Sequence, residues 1–423
     1  MMADEVRRHA YANGLVLVSE RMPDIRSVAV GVWMRRGSRH EPADQNGICH
    51  FIEHLLFKGT ETRTAREIAL IIDSVGGHMD AFTTKEYTCF YFRVLDEHLD
   101  IAVDLLTDIV RRPRFVPEEI EKERKVIFEE IRMVEDTPDE LVYDMFSEAF
   151  YRGHPLGRPI QGTIETVTGM QPAALTRFFR DSYQPDNLLI TAAGNLDHDR
   201  MVAAMGEAFR EMGDGRQDGA ASPPLTSAGV EMREKKELGQ LHLCLGVPGV
   251  PMNDERRHAL FVLNSVLGGT MSSRLFQTIR EDRGLAYAVF SSANCHADTG
   301  QLMVYAATSP SSGREVVDLI LDALRRVKEE PVEGKELQLA KDNLKGNLML
   351  SLESSSSRMS NLAKQEIYFG RQSSMDEVLD AIDRVTAEEI LRIARQLLDR
   401  GKCTLAALGQ TAGLRIDQTD LVF

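Results

Sequence analysis

The chain resembles itself. His50-Phe51-Ile52-Glu53-His54-Leu55-Leu56-Phe57-Lys58-Gly59-Thr60 lines up with Leu260-Phe261-Val262-Leu263-Asn264-Ser265-Val266-Leu267-Gly268-Gly269-Thr270. Further on, Val103-Asp104-Leu105-Leu106-Thr107-Asp108-Ile109-Val110-Arg111-Arg112 lines up with Val317-Asp318-Leu319-Ile320-Leu321-Asp322-Ala323-Leu324-Arg325-Arg326. At 423 residues the chain is too long for one ordinary core, and a hydrophobic pattern that recurs in order implies two units of like fold. Near the middle, Gly213-Asp214-Gly215-Arg216-Gln217-Asp218-Gly219 and Ser222-Pro223-Pro224 have the composition of a linker. The expected domains are 1–212 and 225–423, joined by 213–224.

Within the first half, Val16–Ser19 and Ser27–Met34 alternate and are rich in Val, as strands are. Thr64 with Glu67 forms a capping-box pattern ahead of a helix over Ala65–Val75 that stops at Gly76-Gly77. His78–Val94, with its Thr, Tyr and Phe, reads as an edge strand or hairpin. Helices follow over Leu99–Val110 and from Pro117, then a strand over Leu188–Ala192 and a helix over Arg200–Met212. Strands mixed with helices make each half an α+β domain.

The first copy carries chemistry that the second lacks. On a helix, His50 and His54 stand at i and i+4 with Glu53 beside them. Two imidazoles suit Zn²⁺, and a carboxylate one helical step away can act as base toward a water acidified by the ion. In the second copy these positions are Leu260, Leu263 and Asn264. A catalytic zinc site keeps three protein ligands. The acidic helix from Pro117 offers Glu123, Glu129 and Glu130 as the third, and the residues alone leave the choice among them open.

Composition narrows the partners. A formal charge of -15 argues against nucleic acid, which needs a basic surface. There is no run of 18 apolar residues, so no membrane span is expected, and the start has no apolar core of a signal peptide. The five cysteines are scattered and form no C-x-x-C pair, as fits packing thiols in the cytoplasm.

With these residues in view, the chain resembles the pitrilysin/insulinase-type zinc peptidases over nearly its whole length. The likeness is to the shorter branch that includes the mitochondrial processing peptidase and its bacterial relatives. The H-x-x-E-H of His50, Glu53 and His54 is the inverted zinc motif of that family. The resemblance implies a distal ligand 76 positions beyond the second His, at Glu130, and a supporting acid at Glu123 that orients a ligand His. It implies catalytic roles for Arg280 and Tyr287, which sit in Ser272-Ser273-Arg274-Leu275-Phe276-Gln277-Thr278-Ile279-Arg280-Glu281-Asp282-Arg283-Gly284-Leu285-Ala286-Tyr287. Ala81, Phe82 and Thr83 match the strand along which family members bind peptide. Asp80 departs from the family's usual Asn.

The expectation is therefore a zinc-dependent endopeptidase for short or unfolded peptides, with one Zn²⁺ per chain. Each domain would be an antiparallel sheet packed with helices. The chain would form half of a clamshell homodimer in which the zinc of one subunit faces Arg280 and Tyr287 of the other. Non-catalytic assembly subunits share this resemblance, but the residues of an active site are all present here.

Overall fold

A computed structural model describes residues 6–212, 223–398 and 402–423. Most of the expected linker falls outside them. The described residues divide into two compact units. One takes its described residues from within Met1–Arg132, Arg158–Ala221 and Ser351–Gln372, the other from within Met133–Gly157, Ser222–Leu350 and Ser373–Phe423.

The first unit holds a six-stranded sheet of β1 (Val6–Ala10), β2 (Val16–Arg21), β3 (Ser27–Met34), β4 (His78–Thr83), β5 (Thr88–Leu95) and β6 (Leu188–Gly194), in the order β1-β2-β6-β3-β5-β4. Strand β3 is buried along nearly all its length because both faces of the sheet are covered. Val28, Val30, Val32 and Met34 enter one core, with α1 (Ile48–Leu56), α2 (Ala65–Ser74), α3 (Leu99–Arg111) and α4 (Pro117–Asp136). Ala29 and Trp33 enter another, against Met359, Leu362 and Ala363 of the helix Ser355–Phe369. Thr64 does cap α2, its hydroxyl accepting from Glu67 N at 3.2 Å while Thr64 N donates to the Glu67 carboxylate at 2.7 Å. The helix expected over Arg200–Met212 spans His198–Ala208, because the Asp197 carboxylate accepts from Arg200 N at 2.8 Å and starts it earlier.

The second unit repeats the plan with β7 (Gly229–Glu234), β8 (Leu241–Pro248), β9 (Ala286–Cys295), β10 (Gly300–Thr308) and β11 (Thr404–Gly409), in the order β7-β11-β8-β10-β9. Strands β2, β6, β3, β5 and β4 correspond in order to β7, β11, β8, β10 and β9. The helix Arg257–Leu267 takes the place of α1, and Gly313–Glu329 that of α3, as the repeated sequence requires. The sheets are not purely antiparallel as expected; both are mixed. The last strand of each unit returns after a long helical excursion and pairs in parallel with the strand that opens the repeated plan: β6 with β2, and β11 with β7. A long connection permits parallel pairing, whereas a short turn permits only antiparallel.

Each sheet is closed on one face by a helix from the other half of the sequence. Helix α5 (Pro138–Phe150) packs on β8 and β11, and Ser355–Phe369 packs on β2, β3 and β6. A glycine marks each closest approach. A Cβ on Gly31 of β3 would lie 2.9 Å from Met359 Sδ, and one on Gly246 of β8 would lie 2.4 Å from Phe146 Cζ. Among the described residues no helix is long and apolar enough to cross a membrane.

Candidate metal centre

Helix α1 buries Ile48, Cys49, Phe51, Ile52, Leu55 and Leu56, which leaves His50, Glu53 and His54 on its half-exposed face. Its start is anchored by Glu41, seven residues ahead of Ile48. The buried Glu41 carboxylate accepts from Gly47 N at 2.8 Å, Cys49 N at 2.9 Å and Asn46 Nδ2 at 2.9 Å. A carboxylate at the positive end of a helix satisfies its free N–H groups. Gly47 precedes the helix at φ +96°, where a Cβ would also lie 2.5 Å from Gln161 O.

The acidic helix α4 is held by Arg124. Its guanidinium donates to Val167 O and to Met170 O, the latter at 2.9 Å, and lies 5.3 Å from the centre of the Phe51 ring of α1. So fixed, α4 separates the three candidate acids. Glu129 points to solvent and pairs with Arg132. Glu130 Oε2 faces His50 Nε2 at 3.6 Å and His54 Nε2 at 3.4 Å. Glu123 is buried, with Oε2 at 3.2 Å from His54 Nδ1 and Oε1 at 2.8 Å from Lys58 Nζ.

These separations suit a cation. Ligand atoms about 2.0–2.1 Å from a tetrahedral zinc lie about 3.3 Å apart, and one atom each from His50, His54 and Glu130 all fall within 4.8 Å of one another. Glu130 Oε2 is buried without a hydrogen-bond donor among the described residues, as is His50 Nδ1 without a partner. An oxygen so placed is costly unless a positive centre meets it. Burial, with repulsion from His54, pushes the His50 imidazole down to about 4, so it is neutral and can bind metal. Burial lowers the His54 pKa too, but its nearness to the Glu130 and Glu123 carboxylates outweighs that and raises it. The Glu123 contact at Nδ1 leaves Nε2 for the ion, the arrangement by which an outer carboxylate orients a ligand His.

Glu53 lies beside the ligands in a different setting. Burial lifts its carboxyl to about 7 with protein groups alone around it, against the pull of the Thr83 hydroxyl and of His54. That hydroxyl donates to Glu53 Oε2 at 2.5 Å. Thr83 ends β4, the edge of the sheet next to α1, with β5 on one side and no further strand on the other among the described residues. Phe82 turns to the opposite face, against Trp33, while Ala81 packs on the core beneath α1. Asp80 accepts from Ala81 N at 2.9 Å and from the Tyr91 hydroxyl at 3.2 Å.

Arg280 and Tyr287 belong to the second unit. Arg280 lies in a π-helical stretch, Phe276–Asp282, and its guanidinium carbon lies 4.7 Å from the Phe276 ring centre and 5.1 Å from that of Tyr287. The two residues are thus brought together as a cation–π pair, with the Tyr287 side chain mostly exposed at the start of β9. Glu41, Arg124 and Lys58 are the supporting residues that sequence reasoning missed. Only Lys58 carried a signal, four positions after His54 and just past the end of α1.

Comparison with known proteins agrees with this geometry. Residues 16–164 match the family model described as insulinase, peptidase family M16, and residues 169–344 match the peptidase M16 inactive domain. An uncharacterized zinc protease of Bacillus subtilis is 43% identical over 393 residues, covering 93% of this chain and 95% of the relative. One from Mycobacterium leprae is 43% identical over 402 residues, covering 93% and 90%. In structure, the chain resembles a protease from Helicobacter pylori with a TM-score of 0.88 at 22% identity, covering 96% of this chain and 99% of that one. A chain from Pseudomonas fluorescens, titled a peptidase M16 inactive domain, gives 0.90 at 19% identity, covering 96% and 98%. Family matches that span both units, and a His50, His54 and Glu130 triad formed in the first, lead to one identity: the chain belongs to peptidase family M16 and is a zinc metalloendopeptidase.

Proposed function

We propose that the chain cleaves internal bonds of short or unfolded peptides, with Glu53 as the general base. The observation that carries this reading is a buried Glu130 oxygen facing two imidazole nitrogens at 3.6 and 3.4 Å, with the Glu53 carboxylate beside those imidazoles on α1. Zinc, when bound by His50, His54 and Glu130, supplies a Lewis acid for the peptide carbonyl and acidifies a water. Glu53 takes the proton from that water and delivers it to the leaving amine. Glu123 keeps His54 in the ligand tautomer. The free edge of β4 over Ala81, Phe82 and Thr83 accepts an extended peptide through main-chain hydrogen bonds, which demand little of its sequence.

Arg280 and Tyr287 steady the developing oxyanion with a cation and a phenol. Their pairing and the exposure of Tyr287 support this role. We take the working form to be a homodimer in which they serve the zinc site of the other subunit. We place the protein in the cytoplasm, where five free, buried cysteines stay reduced.

The test is a cleavage assay on a mixed peptide library, with zinc quantified in the same sample and a chelated control. One zinc per chain and chelator-sensitive internal cuts are expected. Glu53→Gln is expected to keep its zinc and lose about 10²- to 10⁴-fold in rate, the range of a general base; an unchanged rate removes Glu53 from that role. For action between subunits, mixing Glu53→Gln and Tyr287→Phe chains is expected to restore turnover through one intact site. Verified mixed dimers with no gain would overturn that arrangement.

A further inference from the structure

The two oxygens of the Glu53 carboxylate are not equivalent. Oε2 accepts the Thr83 hydroxyl at 2.5 Å, while Oε1 has no such tie among the described residues. Thr83 has a single hydroxyl hydrogen, and the other acceptor in its reach is Thr88 Oγ1 at 3.4 Å. The Thr88 hydroxyl in turn donates to Arg36 O at 3.2 Å. The shorter contact therefore takes the Thr83 hydrogen.

The strand that carries Thr83 is held from several directions. Thr83 pairs with Thr88 at the end of β4 and β5, and Thr84 N donates to Tyr87 O at 2.8 Å to close the turn. Ser38 N donates to Thr84 O at 3.0 Å and Arg39 N to Lys85 O at 2.9 Å. The buried Glu86 carboxylate in the same turn accepts from Arg39 Nη1 at 2.6 Å and from the Tyr368 hydroxyl at 2.8 Å. A hydroxyl on so constrained a turn cannot follow Glu53 if that side chain moves. It holds the longer, freer side chain in one rotamer instead.

We propose that Thr83 is the positioning residue of the base: it commits Glu53 Oε2 as an acceptor and leaves Oε1 as the oxygen that carries the proton. This deepens the reading of Glu53 as general base and rests on it. In the step so assigned, the water O–H bond breaks and an Oε1–H bond forms as the water oxygen bonds to the peptide carbonyl carbon and the C=O electron pair moves onto the carbonyl oxygen. The same proton then leaves Oε1 as the amine N–H bond forms, the C–N bond breaks with its electron pair going to nitrogen, the carbonyl re-forms as the carboxyl of the product, and the Glu53 carboxylate is restored. A proton on Oε2 would oppose the Thr83 hydrogen and require that hydroxyl to turn from its acceptor.

The test compares zinc-loaded wild type, Thr83→Val and Thr83→Ser, with melting temperature and zinc content measured for each, and crystals of the zinc-free wild type and Thr83→Val chains. Val keeps the shape and loses the donor. Its kcat is expected to fall about 10- to 100-fold, less than the full worth of a general base, with KM and zinc per chain unchanged, while Ser restores most of the rate. In the crystals, Glu53 is expected in one conformer in the wild type and in a displaced or divided one in Thr83→Val. Wild-type kcat in Thr83→Val, an equal loss in Thr83→Ser, a loss that tracks zinc content, or an unmoved Glu53 would each overturn the proposal. If the zinc-loaded wild type cleaves no peptide, the endopeptidase reading falls instead, and the two crystal conformations still decide the Thr83 contact.

Discussion

At the scale of residues, the centre shows how one helix sorts three similar acids. Glu123 and Glu130 lie one heptad apart on the face of α4 that meets α1, and Glu129 is turned away by about 100°. Glu123 is buried between His54 and Lys58, with Oε2 facing His54 Nδ1. Glu123→Gln is expected to weaken zinc binding about 10- to 100-fold, as for other outer carboxylates. Glu129→Gln, at a solvent-facing pair, is expected to leave it unchanged. Competition with a metal-binding dye reads both, and equal affinities for the two variants would remove Glu123 from the centre.

At the scale of elements, the helices donated across the sequence press on the sheets through two glycines. On Gly246 an added Cβ meets the rigid ring of Phe146, at 2.4 Å; on Gly31 it meets the flexible end of Met359, at 2.9 Å. A methionine thioether can swing aside more cheaply than a packed phenyl ring can. Gly246→Ala is thus expected to cost about 1–3 kcal/mol, the usual range for overpacking, and Gly31→Ala less. Because Gly246 and Phe146 share one space, Phe146→Leu is expected to relieve part of the Gly246→Ala loss. Thermal unfolding of the single and double variants measures this, and additive losses would show that the ring is not the obstacle.

At the scale of the whole molecule, the sequence halves are not self-sufficient. Residues 1–212 alone lack the helix Ser355–Phe369, which covers Val18, Trp33 and Leu189 and places Arg358 against Glu20 and Glu366 against Arg8. A fragment of 1–212 would therefore expose one apolar face of its sheet. It is expected to aggregate or bind a hydrophobic dye, and adding a peptide of 351–372 is expected to reduce both. A monomeric fragment with native melting behaviour and no response to the peptide would contradict this account.

The sequence by itself determined the local and the duplicated. Spacing at i and i+4 put His50 and His54 on one helical face, alternation with Val marked β3, and the repeated pattern required two units of like topology. Helix periodicity and strand alternation act over a few residues, so they are legible without a fold. The antiparallel expectation failed because the partner of β2 is a strand more than 160 residues later, and no local pattern encodes that pairing. The choice among Glu123, Glu129 and Glu130 could be reached only by resemblance until α4 was seen against α1, fixed there by Arg124. The roles of Glu41 under the motif helix and of Thr83 on Glu53 Oε2 were likewise decided by tertiary structure alone. Each depends on a distance between segments separated by a turn, a loop or a sheet, and such distances are set by packing of the whole unit.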